Sequence, residues 1–449
     1  MSPIRTFRRI ITARTRALAL IVLPVVFLSG PSSPVFGERM STSLWPDFLP
    51  SRIVDPSIPV FWRTPLLKEG IDPIGSSRYF ESIPGLAACI VREGEIIWTG
   101  SYGFANIDQG IEVADTTVFL LASVSKTSTG TALMQLYEWG LFDLDDDIND
   151  YLPFEVIHPL YPDSIITFRM ILTHTSGLRD DWTVLLAVYG RGDSPIALGE
   201  FMEDYFTPGG AYYDPEENFQ TWAPGHGAEY CNAAIALAGY LVETIRGDIT
   251  FDRHCDEEIY TPLGMDETAW FLADLDVDNI AMPYHYEDGN FIPYGQFGFP
   301  DYPDGQLRSS TIQLAQFLMA FMQGGELNGV RILDSTTVQE MLTIQYPDLD
   351  PSQGLIWYQM NVPGGGTIWG HTGGDFGTSA FIGFDPESEI GVIWMSNGEW
   401  TYDLYLLTIK LFEFAERLTG ADGPPESGWM RTGSISPSPL ADLVSAATH

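Results

Sequence analysis

Apolar and polar positions alternate between two regimes along this chain. Residues 85–106, "GLAACIVREGEIIWTGSYGFAN", hold two strand-like runs around the turn "REGE", which predicts an antiparallel hairpin. Beyond it Ala132, Leu133, Leu136, Tyr137 and Leu141 recur at helical spacing, with Gly140 near the stop. This predicts a helix entering the core, with Ser123 near its N-terminus. From about 140 to 345 the pattern is mainly helical, clearest at "NAAIALAGYLVETIRG" (232–247) and "STIQLAQFLMAFMQGG" (310–325). Strand patterning returns in "GLIWYQMNV", "SAFIGFDP" and "IGVIWMSNG" (354–398), with turns at "GGG" and "DPESE". An amphipathic helix, "YDLYLLTIKLFEFAERL" (402–418), closes the pattern. Strands at both ends with helices between predict an α/β fold of α+β type. Its antiparallel sheet is built by both chain ends and flanked by helices, with a mainly helical region inserted at about 140–345.

The ends read differently. Arg5, Arg8, Arg9, Arg14 and Arg16 precede the apolar run "ALALIVLPVVFL" (17–28) and the small-residue stretch "SGPSSPVFG". The run is short for a membrane span, so residues 1–37 read as a signal peptide and the protein as secreted or periplasmic. Residues 38–82 are Pro-rich and read as an N-terminal arm, 83–419 as the folded domain, and 420–449 as a flexible Pro/Ser/Gly-rich tail.

Hydrophobic content of 45% describes a folded chain rather than a disordered one. The net charge of −38, or −43 without residues 1–37, argues against nucleic acid and anionic lipid as partners. No further stretch predicts stable membrane insertion, and the sequence leaves the oligomeric state open. Cys89, Cys231 and Cys255 are odd in number and scattered, unlike a disulfide framework or a zinc site. No pattern for a cofactor or metal stands out. In "DLDDDIND" (143–150), Ile148 occupies the position where a calcium loop needs glycine.

Against this background one lysine is conspicuous. The chain has three, Lys68, Lys126 and Lys410, and Lys126 follows Ser123 by three positions in "LLASVSKTSTG". One helical turn apart, an amine and a hydroxyl meet. A serine hydroxyl becomes a useful nucleophile when a base takes its proton, and burial lowers a lysine pKa toward that task. In "WAPGHGAEYCN" (222–232), Tyr230 and Asn232 are two apart, offering a phenol for proton transfer and an amide for a carbonyl. In "IWGHTGGDFGTSAFIGF" (368–384), His371, Thr372 and Gly373 lead to Gly374 and then a strand, where a free N–H fits an oxyanion hole. Taken singly, each also reads as an ordinary helix start, polar loop or glycine turn.

Together and in this order, Ser-x-x-Lys, Tyr-x-Asn and His-Thr-Gly resemble the penicillin-recognising serine hydrolases. The chain is most similar to the class C β-lactamase family, with its DD-peptidases, D-aminopeptidases and esterases, over about residues 84–418. "HTSGL" (174–178), "PLGM" (262–265), "GQLRSS" (305–310) and "GGELNGVRIL" (324–333) extend the likeness. The resemblance implies a β-lactamase/transpeptidase-like fold and a serine hydrolase working through an acyl-enzyme. It implies Ser123 as nucleophile, Lys126 as proton acceptor or orienter, Tyr230 as general base and acid, and Asn232 as a substrate contact. His371 and Thr372 would line the pocket, and the N–H groups of Ser123 and Gly374 would form the oxyanion hole. Whether Lys126 or Tyr230 is the base stays open. "HTSGL" itself reads as a structural turn.

Three departures bear on substrate. Histidine stands where most class C β-lactamases carry lysine, Cys231 stands where serine is usual, and Asp375 follows the strand start. With the acidic surface, these favour a small amide or ester, first a D-amino-acid peptide, over a β-lactam. A carboxylesterase or weak β-lactamase is the alternative, and a non-catalytic penicillin- or peptidoglycan-binding sensor is the rival from another class.

Overall fold

In a computed structural model, the structure describes residues 82–361 and 366–419, the Arg417 side chain excepted. The expected leader over 1–37, the arm over 38–82 apart from Ser82, the tail over 420–449 and most of the "GGG" turn lie outside the described residues.

The predicted hairpin is β1 (Gly85–Arg92) and β2 (Glu95–Asn106). Its two-residue turn takes Glu93 to φ 53° and Gly94 to φ 80°, the left-handed pair whose twist matches that of the strands. A short β3 (Ile111–Glu112) borders β2. From the other end of the chain come β4 (Tyr358–Asn361), β5 (Thr367–Asp375), β6 (Thr378–Asp385) and β7 (Ile390–Ser396). They join in the order β4-β5-β6-β7-β1-β2-β3, all antiparallel, with Cys89 opposite Ile393 at the seam between the two ends.

Both faces of this sheet are covered, so its central strands read as continuous apolar runs. Leu86, Ala88 and Ile90 join Val392 and Trp394 beneath the C-terminal helix, through Leu404, Leu407 and Leu411. Ala87, Cys89 and Val91 face the other way, into the main core with Leu314, Phe317, Leu318 and Phe321.

Four helices frame the sheet and the site: α1 (Ser125–Glu138), α2 (Asn232–Arg246), α3 (Thr311–Met322) and α4 (Tyr402–Thr419). α1 is buried on every side from Ser125 to Gln135, not on one face as its apolar spacing suggests. Its hydroxyls make that possible by bonding inward. Thr127 Oγ1 donates to Val124 O at 2.7 Å, Thr129 Oγ1 to Pro303 O at 2.6 Å, and Ser128 Oγ pairs with Tyr260 Oη at 2.7 Å. The hydroxyl-rich composition is therefore structural.

One local expectation is corrected. The segment His371–Gly374 is not a turn opening a strand; it lies inside β5, and the turn comes afterwards at Phe376 and Gly377. Its glycines serve close approach instead. A Cβ added at Gly373 would sit 2.3 Å from Leu121 O and 3.2 Å from Ser123 N, so only glycine lets β5 lie against the start of α1. All three cysteines are buried thiols without a bridge. Among the described residues, no helix is long and apolar enough to cross a membrane.

Candidate active site

The chain enters α1 through a tight helical turn, Ala122–Val124, in which Ala122 adopts φ 47°. A left-handed alanine costs about 1–2 kcal/mol, so its surroundings must hold it. They do: Leu121 N–H donates to Leu307 O at 2.9 Å, and Leu307 N–H donates to Ser125 Oγ at 3.1 Å. The turn leaves Ser123 partly exposed between buried neighbours.

One turn on, the Lys126 side chain is wholly buried. Its Nζ lies 3.1 Å from Ser123 Oγ, 2.7 Å from Asn232 Oδ1 and 2.5 Å from Asp304 O. Burial lowers the Lys126 pKa, and the charges of Asp304, Asp180, Asp301 and Asp375 work against it. The amine is thus held at one point by the serine hydroxyl, an amide oxygen and a backbone carbonyl.

Asn232 opens α2, and Asp180 fixes it there. One carboxylate oxygen of Asp180 accepts from Asn232 N–H at 3.0 Å and from Asn232 Nδ2 at 2.9 Å; the other accepts from Ala233 N–H at 3.0 Å. The carboxylate thus caps the helix and orients the amide, turning Oδ1 toward Lys126. In this structure Asn232 Oδ1 meets Lys126, and one of its two Nδ2 hydrogens meets Asp180.

The Tyr230 ring sits 5.0 Å beneath Lys126 Nζ and 4.4 Å from the His174 ring. Burial raises its pKa well above 10, more than the neighbouring Ser123 hydroxyl lowers it, so Tyr230 rests as a phenol. Its buried Oη has no well-formed hydrogen bond. His174, at φ 58° in "HTSGL", accepts from Cys231 N–H at 3.2 Å, so that turn supports the tyrosine segment directly.

Along β5, successive side chains face opposite ways. His371 turns inward, 6.5 Å from the Tyr230 ring, and its Nδ1 donates to Thr372 O at 2.7 Å. Burial pushes its pKa down to about 3, so it stands neutral where a lysine would carry charge. Thr372 turns away from it. Its Oγ1 pairs with Tyr358 Oη at 2.8 Å, and it lines a small groove with Met360, Phe381 and Trp400 on the α4 side. Gly374 lies opposite Ser379, one place in from the turn-closing pair Asp375–Thr378. Antiparallel alternation therefore turns its N–H away from β6, toward the edge where Thr372 N–H donates to Tyr358 Oη at 3.1 Å.

Ser123, Lys126, Tyr230, Asn232 and His371 thus converge, with Gly374 at the strand edge and Thr372 facing elsewhere. Sequence reasoning missed Asp180, which lies 52 positions from the amide it holds. It also missed Asp304, which contributes a backbone carbonyl and so has no side-chain signature.

Known proteins share this arrangement of elements. The Beta-lactamase family model matches residues 77–405. A Yersinia enterocolitica protein named beta-lactamase is 26% identical over 351 residues, 71% of this chain and 83% of that protein. Penicillin-binding protein 4* of Bacillus subtilis is 25% identical over 68% of this chain and 66% of its own length. The chain spans about half the length of other curated relatives it matches. Among solved structures, D-amino acid amidase from Ochrobactrum anthropi SV3 superposes with a TM-score of 0.62 at 20% identity, covering 79% of this chain and 100% of that one.

Proposed function

The chain belongs to the Beta-lactamase family, and on that premise we propose that it cleaves a small amide or ester through an acyl-enzyme on Ser123, with a D-amino-acid peptide or amide as the substrate class. It has the β-lactamase/transpeptidase-like fold and is a serine hydrolase. The single observation that carries the choice of residues is the position of Lys126 Nζ between Ser123 Oγ, Asn232 Oδ1 and Asp304 O.

In this reading Lys126, lowered in pKa by burial, accepts the Ser123 proton as Oγ bonds to the substrate carbonyl carbon. The oxyanion is met by Ser123 N–H and Gly374 N–H, which lie at the junction of α1 and β5. Tyr230, a phenol at rest, donates its proton to the departing nitrogen or oxygen and is reprotonated from Lys126. Water then attacks the ester, its proton leaves by the same groups, and the acid and free serine are released. Asn232 positions Lys126, and its second Nδ2 hydrogen remains for the substrate.

The substrate class rests on charge. A β-lactam or a C-terminal D-alanine presents a carboxylate, and the neutral His371 gives it no cation, whereas the Asp375 carboxylate on the same strand repels it. A neutral or cationic amide suits these walls better, and a fold shared with a D-amino acid amidase is a precedent for that class. A carboxylesterase is the second reading, favoured by the same absence of charge on His371. We place the catalytic domain at 83–419 behind an exported leader at 1–37, an arm at 38–82 and a tail from 420, a layout that N-terminal sequencing of the secreted protein tests.

The functional test is a panel of D-amino-acid amides, D-alanyl peptides, short p-nitrophenyl esters and a cephalosporin. Faster turnover of the amides or D-peptides than of the cephalosporin, lost in Ser123→Ala, supports the proposal. A cephalosporin as the best substrate sinks the substrate class, and full turnover by Ser123→Ala sinks the residue assignment.

A further inference from the structure

Beyond Gly374 the inward face of β5 continues to Asp375, two residues from Gly373 and so on the side that packs against Ser123. The Asp375 carboxylate is held at the wall of the site. Its Oδ2 accepts from Tyr189 Oη at 3.0 Å, and its Oδ1 accepts from Phe376 N–H at 2.7 Å. The rings around it form a box. Tyr189 stacks on Phe299 at 4.6 Å and meets Phe376 edge-on at 5.7 Å, and Phe376 lies 5.5 Å from Tyr294. Leu120, at the entry to the Ser123 turn, packs in the same cluster.

Two more carboxyl groups stand close to this box and to Lys126. Asp301 precedes the short helical turn Tyr302–Asp304, and Asp304 is its last residue. Asp301 is 2% exposed, and its Oδ1 has no hydrogen-bond partner. An unmatched buried carboxyl oxygen is costly, so it marks a place where a donor is missing. Phe299, whose ring stacks on Tyr189, stands two residues before Asp301, and Asp304 O lies 2.5 Å from Lys126 Nζ, so this turn runs from the aromatic wall to the lysine. Arg308 lies behind it with its Nη atoms donating to the carbonyls of Trp270, Gln306 and Phe297. The arrangement joins ring faces, which attract cations, to the Asp375 carboxylate and two further carboxyl groups on the strand and turn that pack by the nucleophile.

We propose that the Tyr189–Phe376–Asp375 wall, with Asp301 and Asp304 beneath it, is a subsite for the α-ammonium group of the substrate. The substrate class is thereby narrowed to amides, esters or peptides of amino acids with a free amine next to the scissile carbonyl. This rests on the acyl-enzyme reading of Ser123. It makes the protein selective for an N-terminal residue, since acylating that amine removes both its charge and its donors.

The experiment compares a D-amino-acid p-nitroanilide with its N-acetyl derivative at pH 7, where an α-amine is largely protonated. A short p-nitrophenyl ester reports the serine chemistry independently. The wild-type protein is expected to favour the free amine by about ten-fold or more in kcat/KM, the size of a charge-assisted contact. In Asp375→Asn that ratio should fall toward one, and in Tyr189→Phe it should fall part of the way. A folding defect lowers both substrates together and leaves the ratio in place, so the ratio isolates the subsite. Equal or better turnover of the N-acetyl compound by the wild type, or an undiminished ratio in Asp375→Asn, overturns the subsite while Ser123-dependent ester hydrolysis still stands. Failure to turn over either anilide while the ester is hydrolysed overturns it too. Ester hydrolysis that survives Ser123→Ala removes the reading beneath it.

Discussion

Asp180 grips Asn232 twice, accepting from its backbone N–H at 3.0 Å and from its side-chain Nδ2 at 2.9 Å. One carboxylate therefore caps α2 and aims the amide oxygen at Lys126. In Asp180→Asn, an amide NH2 must face donors that a carboxylate accepted. The loss of the cap alone is expected to cost about 0.5–2 kcal/mol of stability. The disordered Asn232 should lower kcat more than it raises KM, because Lys126 loses its guide. Thermal unfolding and steady-state kinetics on one ester check both halves, and a fall in stability with kcat unaltered would contradict the positioning role.

Tyr230 offers an unusual pairing of effects. Its Oη is buried without a well-formed hydrogen bond, so Tyr230→Phe removes an unmatched polar atom. Stability should hold or rise, by up to about 1 kcal/mol. Catalysis should fall by on the order of 10²- to 10⁴-fold if the phenol carries a proton to the leaving group. The loss should shrink for esters with good leaving groups, which need less help. An equal loss for p-nitrophenyl and alkyl esters would count against the proton-transfer role.

The sign of one pH effect is set by Asp304. Its charge does most to hold the Lys126 pKa up, against the burial that lowers it. Asp304 itself is pushed up to about 7 by burial, with Lys126 pulling the other way. If unprotonated Lys126 is the base, activity rises with pH as its proton leaves. Asp304→Asn removes the opposing charge and leaves the carbonyl that Lys126 bonds, so the rising limb of kcat/KM should move to lower pH. A limb that moves to higher pH, or does not move, contradicts Lys126 as the titrating base.

Gly373 tests the close approach of β5 to the nucleophile. In Gly373→Ala the new Cβ meets Leu121 O at 2.3 Å and Ser123 N at 3.2 Å, and backbone must shift. We expect kcat to fall by on the order of 10²-fold, comparable to losing one oxyanion donor. Gly374→Ala meets nothing nearer than Trp400 Cβ at 3.9 Å and retains its N–H, so it should lose far less. Equal effects of the two substitutions would remove the steric basis for the oxyanion site.

Much of the sheet is legible in the chain because its strands are short, apolar runs separated by strong turns. The Glu93–Gly94 hairpin and the α4 amphipathic pattern are local features, and local features are legible. The β5 segment reads differently because three glycines in nine residues look like a turn until a packing partner is known. α1 presents a one-sided apolar pattern, yet inward hydroxyl bonds let it be buried all round, and no periodicity reports such bonds. At the site, Ser123 and Lys126 stand out by spacing within one helical turn. Asp180 and Asp304 do not, since one acts 52 positions away and the other through its carbonyl.

The central claim is that Ser123 carries the acyl group, and mass spectrometry tests it directly. The protein is mixed with a slowly deacylating p-nitrophenyl ester, quenched within the burst, digested and mapped. The account predicts one acyl group on the peptide bearing Ser123, absent from Ser123→Ala and slow to form in Lys126→Arg, whose guanidinium cannot give up its proton. An acyl group on another residue, or ester turnover at the wild-type rate in Ser123→Ala, would contradict it.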